Sequence, residues 1–351
     1  QIDGDKMSSN EVIFHNTLGW DRVNAVFTGC DRTKQCKMDT LPNSLVRCCI
    51  DTEFDDVYFT NGAKKKTAHT AFNRLCSSFE PNGFTYDSDI VCLQPYEGDL
   101  HSDTSTHKIT FEFAGKTQKN VYVWTPSCYN PADKGKKYGV VYMFDGQNLF
   151  SRNSTAYGSW NVPQVMERRS DYIVVGIDNS DHYRDSQLTP NIGKIKKQYT
   201  HMFGNGTGVQ MAQLLVNKII PYINKNYNVF TDKSHTAIVG GSSGGLESFY
   251  IGTSYSNIFG IVGAFSPAFV LYEDSVWENY LKSIKLCPEM YIYIGRNDLV
   301  EKELYPQVEK TVQFFKNSEH SSKLVYDCRE FNSHNEAAWA GAFIKFAAML
   351  K

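Results

Sequence analysis

Short runs of residues that are apolar almost throughout recur between residues 138 and 331, and they limit the possible folds of this chain more than any other feature. These runs are YGVVYMFD, DYIVVGID, HTAIVGG, FGIVGAFS, MYIYIG and SKLVYDCREF. A run without polar alternation is typical of a strand that is buried on both faces. Helical stretches such as VQMAQLLVNKIIPYINKNY lie between the runs, with apolar residues recurring at intervals of three and four. Strands and helices that alternate in this way predict an α/β fold with a doubly wound, mostly parallel sheet.

The segments KITFEFAG and NVYVWTP precede these runs and predict an antiparallel pair of strands that opens the sheet. Binding and catalytic residues of doubly wound sheets lie at the carboxyl ends of the strands. We therefore expect the functional residues of this chain in the segments that directly follow its apolar runs.

The first part of the chain, residues 1 to about 100, is rich in Asp, Asn, Thr and Cys and has no sustained helical period. Six of the nine cysteines fall here: Cys30, Cys36, Cys48, Cys49, Cys76 and Cys92. Since none shows the CxxC-like spacing of zinc sites, we predict three disulfides, whose connectivity the sequence leaves open. The region then forms a small domain over residues 1–100 with a thin core that disulfides support. The polar segment 96–108 separates it from a second domain over residues 101–351.

Disulfides imply an oxidising compartment, so we predict a protein that is secreted or lies in the lumen of the secretory pathway. Glycosylation triplets at Asn153 and Asn205 agree with that location. The first residue is Gln rather than Met, from which we expect a processed or trimmed start. The odd number of downstream cysteines (Cys128, Cys287 and Cys328) predicts at least one free thiol or a further bridge.

Charge and hydropathy exclude several classes of function. The net charge of −2 gives no broad basic field, so nucleic acid is not an expected partner. The longest apolar stretch, near residues 259–272, is interrupted by Pro267 and is too short to span a bilayer. No metal or organic cofactor is implied, and the oligomeric state is open.

The segment GGSSGG places two serines on the turn between the strand HTAIVGG and the helix GLESFYIGTSY. A nucleophile elbow needs this context, because its serine has strained backbone angles and only small neighbours avoid a clash. The pattern G-x-S-x-G fits both Ser242 and Ser243, so the pattern alone does not choose between them. A glycine-rich turn without chemistry is the alternative.

A serine nucleophile needs a histidine base and a carboxylate that orients it, in the chain order Ser, acid, His. His334 follows the last strand and precedes a helix, whereas His320 lies in a polar loop before that strand; we favour His334 as the base. For the acid, Asp298 lies three residues past the preceding strand and is favoured over Glu301. The alternative role of Asp298 is to cap the following helix. The loop DGQ after the third strand supplies an oxyanion donor, the N–H of Gly146 or Gln147.

Nine segments in order resemble the esterases of the esterase D type, which are related to enterochelin, feruloyl and acetyl-xylan esterases. They are YMFDGQNLF, GSWNVPQVM, YIVVGIDN, QLTP, IIPYINKNY, GGSSGGLES, FGIVGAFSPAF, GRND and HNEAAWAGAF. The resemblance covers about residues 105–351 and implies an α/β-hydrolase fold. In the family the elbow reads G-x-S-x-G-G-L, and this register makes Ser242 the nucleophile, with Ser243 supplying an oxyanion N–H where methionine is common. The implied triad is Ser242, Asp298 and His334.

These observations predict a serine hydrolase that cleaves a carboxylic ester, acting on a small-molecule or carbohydrate-linked substrate. Two alternatives remain: a catalytically silent binding or adhesion protein on the same fold, and an acyltransferase that uses the same triad. Trp160 and Trp339 belong to segments that the family places near the site, so each is either a wall of the pocket or a core residue. The acyl and alcohol parts of the substrate, and the role of the N-terminal domain, are open.

Overall fold

The structure is a computed structural model of the 351-residue chain. It describes residues 10–16, 18–29, 32–40, 45–50, 54, 56–63, 65–67, 70–71, 82–87, 92–95, 107–113, 117–150, 159–179, 182–320 and 323–351.

The N-terminal region contains two β-sheets, although the sequence predicted an irregular region. Its described strands are β1 (Asn10–His15), β2 (Asn24–Gly29), β3 (Arg32–Lys37), β4 (Asp39–Thr40), β5 (Leu45–Ile50), β6 (Asp56–Thr60), β7 (Thr70–Ala71), β8 (Asn82–Asp87) and β9 (Cys92–Pro95). They pair in the orders β4-β5-β1-β8-β9 and β3-β2-β6-β7. Buried Phe14 of β1 stacks on Phe59 of β6 with ring centroids 4.2 Å apart, so the two sheets share an apolar core.

An eight-stranded sheet forms the second part of the chain. Its strands are β10 (His107–Phe113), β11 (Thr117–Trp124), β12 (Gly139–Phe144), β13 (Tyr172–Ile177), β14 (Thr236–Gly241), β15 (Ile261–Phe265), β16 (Glu289–Gly295) and β17 (Leu324–Arg329). Their order is β10-β11-β13-β12-β14-β15-β16-β17. The pairs β10–β11 and β11–β13 are antiparallel, and all later pairs are parallel. The predicted opening pair and the mostly parallel sheet are both confirmed.

Helices cover both faces of this sheet. They are α1 (Val162–Arg169), α2 (Arg184–Gln187), α3 (Thr200–Phe203), α4 (Gly208–Leu214), α5 (Ile220–Asn226), α6 (Ser243–Ser254), α7 (Asp274–Ser283), α8 (Leu299–Lys316) and α9 (Glu336–Ala347). One apolar core includes Val165, Trp339 and Phe343 from α1 and α9. The other core includes side chains of α4 to α8. Every residue of β12, β13 and β14 is buried, which explains why these strands read as continuous apolar runs.

The sequence predicted one long helix over the segment that contains α4 and α5. In the structure a π-helical turn at Leu215–Ile219 lies between these two helices. Pro221 follows within the first turn of α5 and carries no N–H for an intrahelical bond. A wider turn just before the proline accommodates the missing bond, so one helical pattern in the sequence becomes three consecutive segments.

The predicted disulfides are seen in none of the described cysteines. The thiol of Cys48 is buried next to Cys36, and burial together with this neighbour raises the pKa of Cys48 to about 12. Cys30, Cys76 and the side chain of Cys92 lie outside the described residues, as does Asn153. Asn205 is exposed in the turn that follows α3. The proposed bridges and the sugar therefore stay predictions.

The N-terminal sheets adjoin the second part of the chain at α9, because β7 and β9 both lie against this helix. Within the described ranges, no helix has the length and apolar character needed to cross a membrane.

Candidate active site

The turn between β14 and α6 has the backbone of a nucleophile elbow at Ser242. Its backbone angles are φ 58° and ψ −121°, a combination that residues other than glycine rarely adopt. Its N–H donates to the carbonyl of Phe265 at 2.8 Å, and its own carbonyl accepts from Ala268 N–H at 3.2 Å, so the turn is held against β15. A Cβ at Gly245 would lie 2.8 Å from the Phe265 oxygen, and only glycine permits this approach of helix to strand.

Ser243 is the first residue of α6, so its backbone N–H has no intrahelical acceptor. Its side chain is buried and donates to Asp185 Oδ1 at 2.9 Å. The two serines therefore have different surroundings. Ser242 occupies the strained apex, while Ser243 is fixed by its hydroxyl and offers its N–H at the start of the helix.

The DGQ loop follows β12 and begins with a left-handed residue, Asp145, at φ 56° and ψ 46°. Asn179 holds this loop from the end of β13, because its side-chain oxygen accepts from Asp145 N–H at 3.2 Å and its N–H donates to Gln147 Oε1 at 3.0 Å. A Cβ at Gly146 would lie 2.6 Å from the carbonyl carbon of Gly176. Within the described part of the chain, the backbone N–H groups of Gly146 and Gln147 donate no hydrogen bond.

Arg184 of α2 connects the DGQ loop to the elbow. Its Nε and Nη2 each lie 2.6 Å from an oxygen of the buried Asp145 carboxylate, in a bidentate pair. Its Nη1 donates to Asp185 at 2.9 Å, and Nη2 also reaches the carbonyl of Gly241 at 3.5 Å. Burial by itself disfavours the charged guanidinium, but the two carboxylates hold the pKa of Arg184 above its ordinary value.

Glu336, the first residue of α9, lies beside the same loop. It is buried and accepts from Asn148 Nδ2 at 3.0 Å. Burial, with a smaller contribution from Asp145, raises the pKa of Glu336 to about 7. This carboxyl is therefore largely neutral in mildly acidic solution and is not a second strong anion beside Asp145.

His334 lies in the loop between β17 and α9, at the same sheet edge as the elbow. Its imidazole packs edge-on against Trp339 at 5.0 Å, and the Trp339 ring would lie 2.9 Å from a Cβ at Gly241, next to Ser242. Trp339 thus separates the core from both His334 and the elbow. Among the described residues, no hydrogen bond links Ser242 to His334, which is common before substrate binds. His320 precedes β17 and lies toward the opposite edge of the sheet.

The two candidate acids have different partners. Asp298 is the N-cap of α8, and its Oδ1 accepts from Glu301 N–H at 2.8 Å. Its Oδ2 accepts from the backbone N–H of His334 at 2.6 Å. The fully buried Glu301 places Oε1 3.4 Å from His334 Nδ1, whereas no described ion pair joins Asp298 to that ring. The capping role that competed with the acid role of Asp298 is the one that its contacts show.

Trp160 and Trp339 are both buried, at 1% and 5% exposure, with ring centroids 5.4 Å apart. Trp160 packs on Phe265 and Phe343 within the core. Trp339 also donates from Nε1 to Ser266 Oγ at 3.0 Å. Trp160 is therefore a core residue. Trp339 lies between the core and the elbow, where it contacts Gly241 and Ser266.

The sequence interpretation missed Arg184, Glu336 and Ser266. Arg184 lies outside the segments that carry the family resemblance, and Glu336 lies inside one of them, HNEAAWAGAF, where attention went to His334 and Trp339. Ser266 follows the carboxyl end of β15, so its position at the functional edge was a signal that could have identified it. Among the described residues, no cluster of His, Cys, Asp and Glu suits a metal ion.

Comparison with known proteins finds esterases. A family model described as "Putative esterase" matches residues 114–350. The uncharacterized protein YbbA of Bacillus subtilis (strain 168) is 26% identical over 210 residues, which are 58% of this chain and 76% of YbbA. The endo-1,4-beta-xylanase/feruloyl esterase of Xylanibacter ruminicola is 27% identical over 253 residues, which are 69% of this chain but 31% of that protein.

Among solved structures, the enterobactin esterase FES from Shigella flexneri, in the presence of 2,3-di-hydroxy-N-benzoyl-glycine, superposes with a TM-score of 0.55 at 13% sequence identity. The match covers 100% of this chain and 95% of that chain. At this identity the likeness concerns the fold, and it confirms the α/β-hydrolase architecture.

Proposed function

The chain belongs to the esterase family and is a carboxylic ester hydrolase, and we propose that it acts through an acyl-enzyme formed on Ser242. The observation that carries this proposal is the strained backbone of Ser242 at the apex of the turn between β14 and α6. Strain of this kind persists where the surrounding structure holds it, and it presents the hydroxyl above the sheet edge. The free N–H of Ser243 lies directly after it, where an oxyanion donor is needed.

In this mechanism His334 Nε2 takes the proton of Ser242 Oγ as the oxygen attacks the ester carbonyl. The developing oxyanion accepts from the N–H of Ser243 and from the N–H of Gly146 or Gln147. Collapse expels the alcohol, which receives the proton from the imidazolium, and leaves the acyl group on Ser242. Water then gives a proton to His334 as it attacks the acyl-enzyme. When this second intermediate collapses, the imidazolium returns the proton to Ser242 Oγ, and the acid is released. A carboxylate facing Nδ1 holds the imidazole and stabilises its charged form.

The proposed substrate is a small-molecule or carbohydrate-linked ester. The name of the Xylanibacter relative includes a feruloyl esterase activity, and the Shigella structure is that of an enterobactin esterase. Hydroxycinnamoyl esters are therefore the first class to assay, followed by acetylated xylan, short-chain nitrophenyl esters and a cyclic triester.

We also propose that the protein works in an oxidising secretory or extracellular compartment. The density of cysteines in residues 1–100 supports this, and the contact of Cys36 with Cys48 makes these two the first candidate pair. Peptide mapping without reduction should find the bridges, and glycosidase treatment should lower the mass of protein from a eukaryotic host if Asn153 or Asn205 carries sugar. Six free thiols would contradict the compartment.

Fluorophosphonate labelling of the purified protein tests the nucleophile. We expect one adduct, on the peptide that contains Ser242, and both labelling and turnover should be lost in Ser242→Ala. His334→Ala should lower kcat by several orders of magnitude, while His320→Ala, the matched control, should stay near wild type. An adduct on Ser243 that survives in Ser242→Ala would assign the nucleophile to the other glycine frame.

The same experiment separates the competing functions. A binding protein on a hydrolase fold would show neither an adduct nor turnover with any of the esters. An acyltransferase would show the adduct, but added alcohols would take most of the acyl group in place of water.

A further inference from the structure

The carboxylate that orients the base can be identified from the contacts around His334. We infer that Glu301, and not Asp298, is the positioning residue for the His334 imidazole, while Asp298 fixes the loop that carries it. This inference rests on the proposed roles of Ser242 and His334. It changes the acid that the sequence pattern favoured, and it concerns which oxygen faces Nδ1.

Both oxygens of Asp298 accept from backbone N–H groups, and no described contact joins either of them to the imidazole ring. One oxygen accepts from the N–H of Glu301 and so caps the first turn of α8. The other accepts from the backbone N–H of His334 at 2.6 Å. Both contacts stabilise the backbone: the first starts the helix, and the second ties the loop after β17 to the loop after β16. Asp298 therefore sets the position of His334 through its main chain.

Glu301 occupies the third position of α8, where a glutamate commonly reaches back to the N-cap in a capping box. Its side chain turns inward instead, and Oε1 accepts from Ser266 Oγ at 2.6 Å. Ser266 is itself held in a left-handed conformation at φ 42°, and its hydroxyl accepts from Trp339 Nε1. A chain of hydrogen bonds thus runs from Trp339 through Ser266 to the Glu301 carboxylate and fixes its direction.

The groups left without a partner point to the same pairing. His334 Nδ1 and Glu301 Oε2 are both buried, and neither has a hydrogen-bond partner among the described residues. Nδ1 lies 3.4 Å from Oε1, slightly longer than a hydrogen bond to a charged group. A small rotation of the imidazole toward Glu301 would give Nδ1 a hydrogen bond to this carboxylate. An N–H at Nδ1 then leaves the Nε2 lone pair free to take the proton of Ser242.

The test compares three isosteric or near-isosteric variants with a nitrophenyl ester as substrate. Glu301→Gln should lower kcat by about 10³ to 10⁴, because an amide nitrogen toward Nδ1 favours the wrong tautomer, while KM should stay within about threefold. Glu301→Asp keeps the charge and should recover at least tenfold of that loss. Asp298→Asn should lower kcat by tenfold or less and lower Tm. Glu303→Gln, an exposed change on the same helix, is the matched control.

A second readout does not depend on turnover. Proton NMR of the wild type should show a downfield Nδ1–H resonance, absent in His334→Ala and in Glu301→Gln but retained in Asp298→Asn. If Ser242 carries no label and no ester is cleaved, yet the resonance depends on Glu301, the proposed function fails while the pairing of Glu301 with His334 is confirmed. If Asp298→Asn removes the resonance and abolishes turnover while Glu301→Gln retains both, the inference is overturned. Equal losses in both variants would also overturn it.

Discussion

Replacing Glu336 by Gln should stabilise the enzyme in alkaline solution and leave its stability unchanged in acid. The pKa of this carboxyl is raised from 4.5 to about 7, chiefly by burial. A group whose pKa is higher in the folded state favours folding while it is protonated. This contribution is fully present below pH 4.5 and is lost as the pH rises through 7. The two pKa values correspond to a loss of about 3 kcal/mol at pH 8.

Gln reproduces the shape of the neutral carboxyl, and its oxygen can still accept from Asn148 Nδ2. Urea unfolding at pH 4 and at pH 8 measures the effect. At pH 4 the free energies of unfolding of wild type and Glu336→Gln should agree, and at pH 8 the variant should be more stable by up to about 3 kcal/mol. The variant Glu330→Gln, at an exposed position shortly before Glu336, controls for the loss of one surface charge.

The reasoning fails if the stability difference between wild type and Glu336→Gln is the same at both pH values. It also fails if the variant is the less stable protein at pH 8, since that result would mean that the charged carboxylate of Glu336 stabilises the fold.

Further predictions concern the DGQ loop, the elbow and the core. Gly146→Ala should lower kcat by about 10² to 10³, because its Cβ would meet the backbone of Gly176 and displace an oxyanion donor; steady-state kinetics checks this. Ser243→Ala keeps its backbone N–H but loses the bond to Asp185, so a kcat loss of more than tenfold would contradict the assigned roles of the two serines. Glu247→Met should raise Tm, because neither oxygen of this fully buried carboxyl has a described partner and an unpaired buried polar group costs about 1–3 kcal/mol; a lower Tm would count against this.

Much of the second part of the fold could be predicted, because strands such as β12 and β14 are buried on both faces and need apolar side chains at every position. The N-terminal strands gave a weaker signal. In β3, RTKQCK, almost every residue is exposed, so the strand depends on its pairing with β2 rather than on apolar burial. The alternation of buried apolar residues in β1 (Val12 and Phe14) and in β6 (Val57 and Phe59) is the clearer sign of strands there.

The elbow could be located because its requirements are local. A strand, a tight turn and small residues must follow each other in the sequence, and the backbone of Ser242 has the strain that this arrangement imposes. The acid could not be chosen in the same way. Asp298 and Glu301 are three residues apart, and which of them turns toward His334 depends on where α8 begins. Because Asp298 is the N-cap of α8, its oxygens accept from backbone N–H groups. The spacing of Asp298 and Glu301 along the chain does not reveal where α8 begins.

The bidentate contact of Arg184 with Asp145 bears on how this enzyme can be varied by evolution or in a library. One guanidinium also touches Asp185 and the carbonyl beside the elbow, so the DGQ loop, α2 and the nucleophile turn depend on the same side chain. Changes at these positions will be epistatic, because removing Arg184 leaves the buried Asp145 carboxylate without its ion pair, and removing Asp145 takes away the bidentate partner of Arg184. In a library that replaces Asp145 or Arg184 singly, we expect few active variants. Paired replacements that remove both charges should give more active variants, including some with new conformations of the DGQ loop.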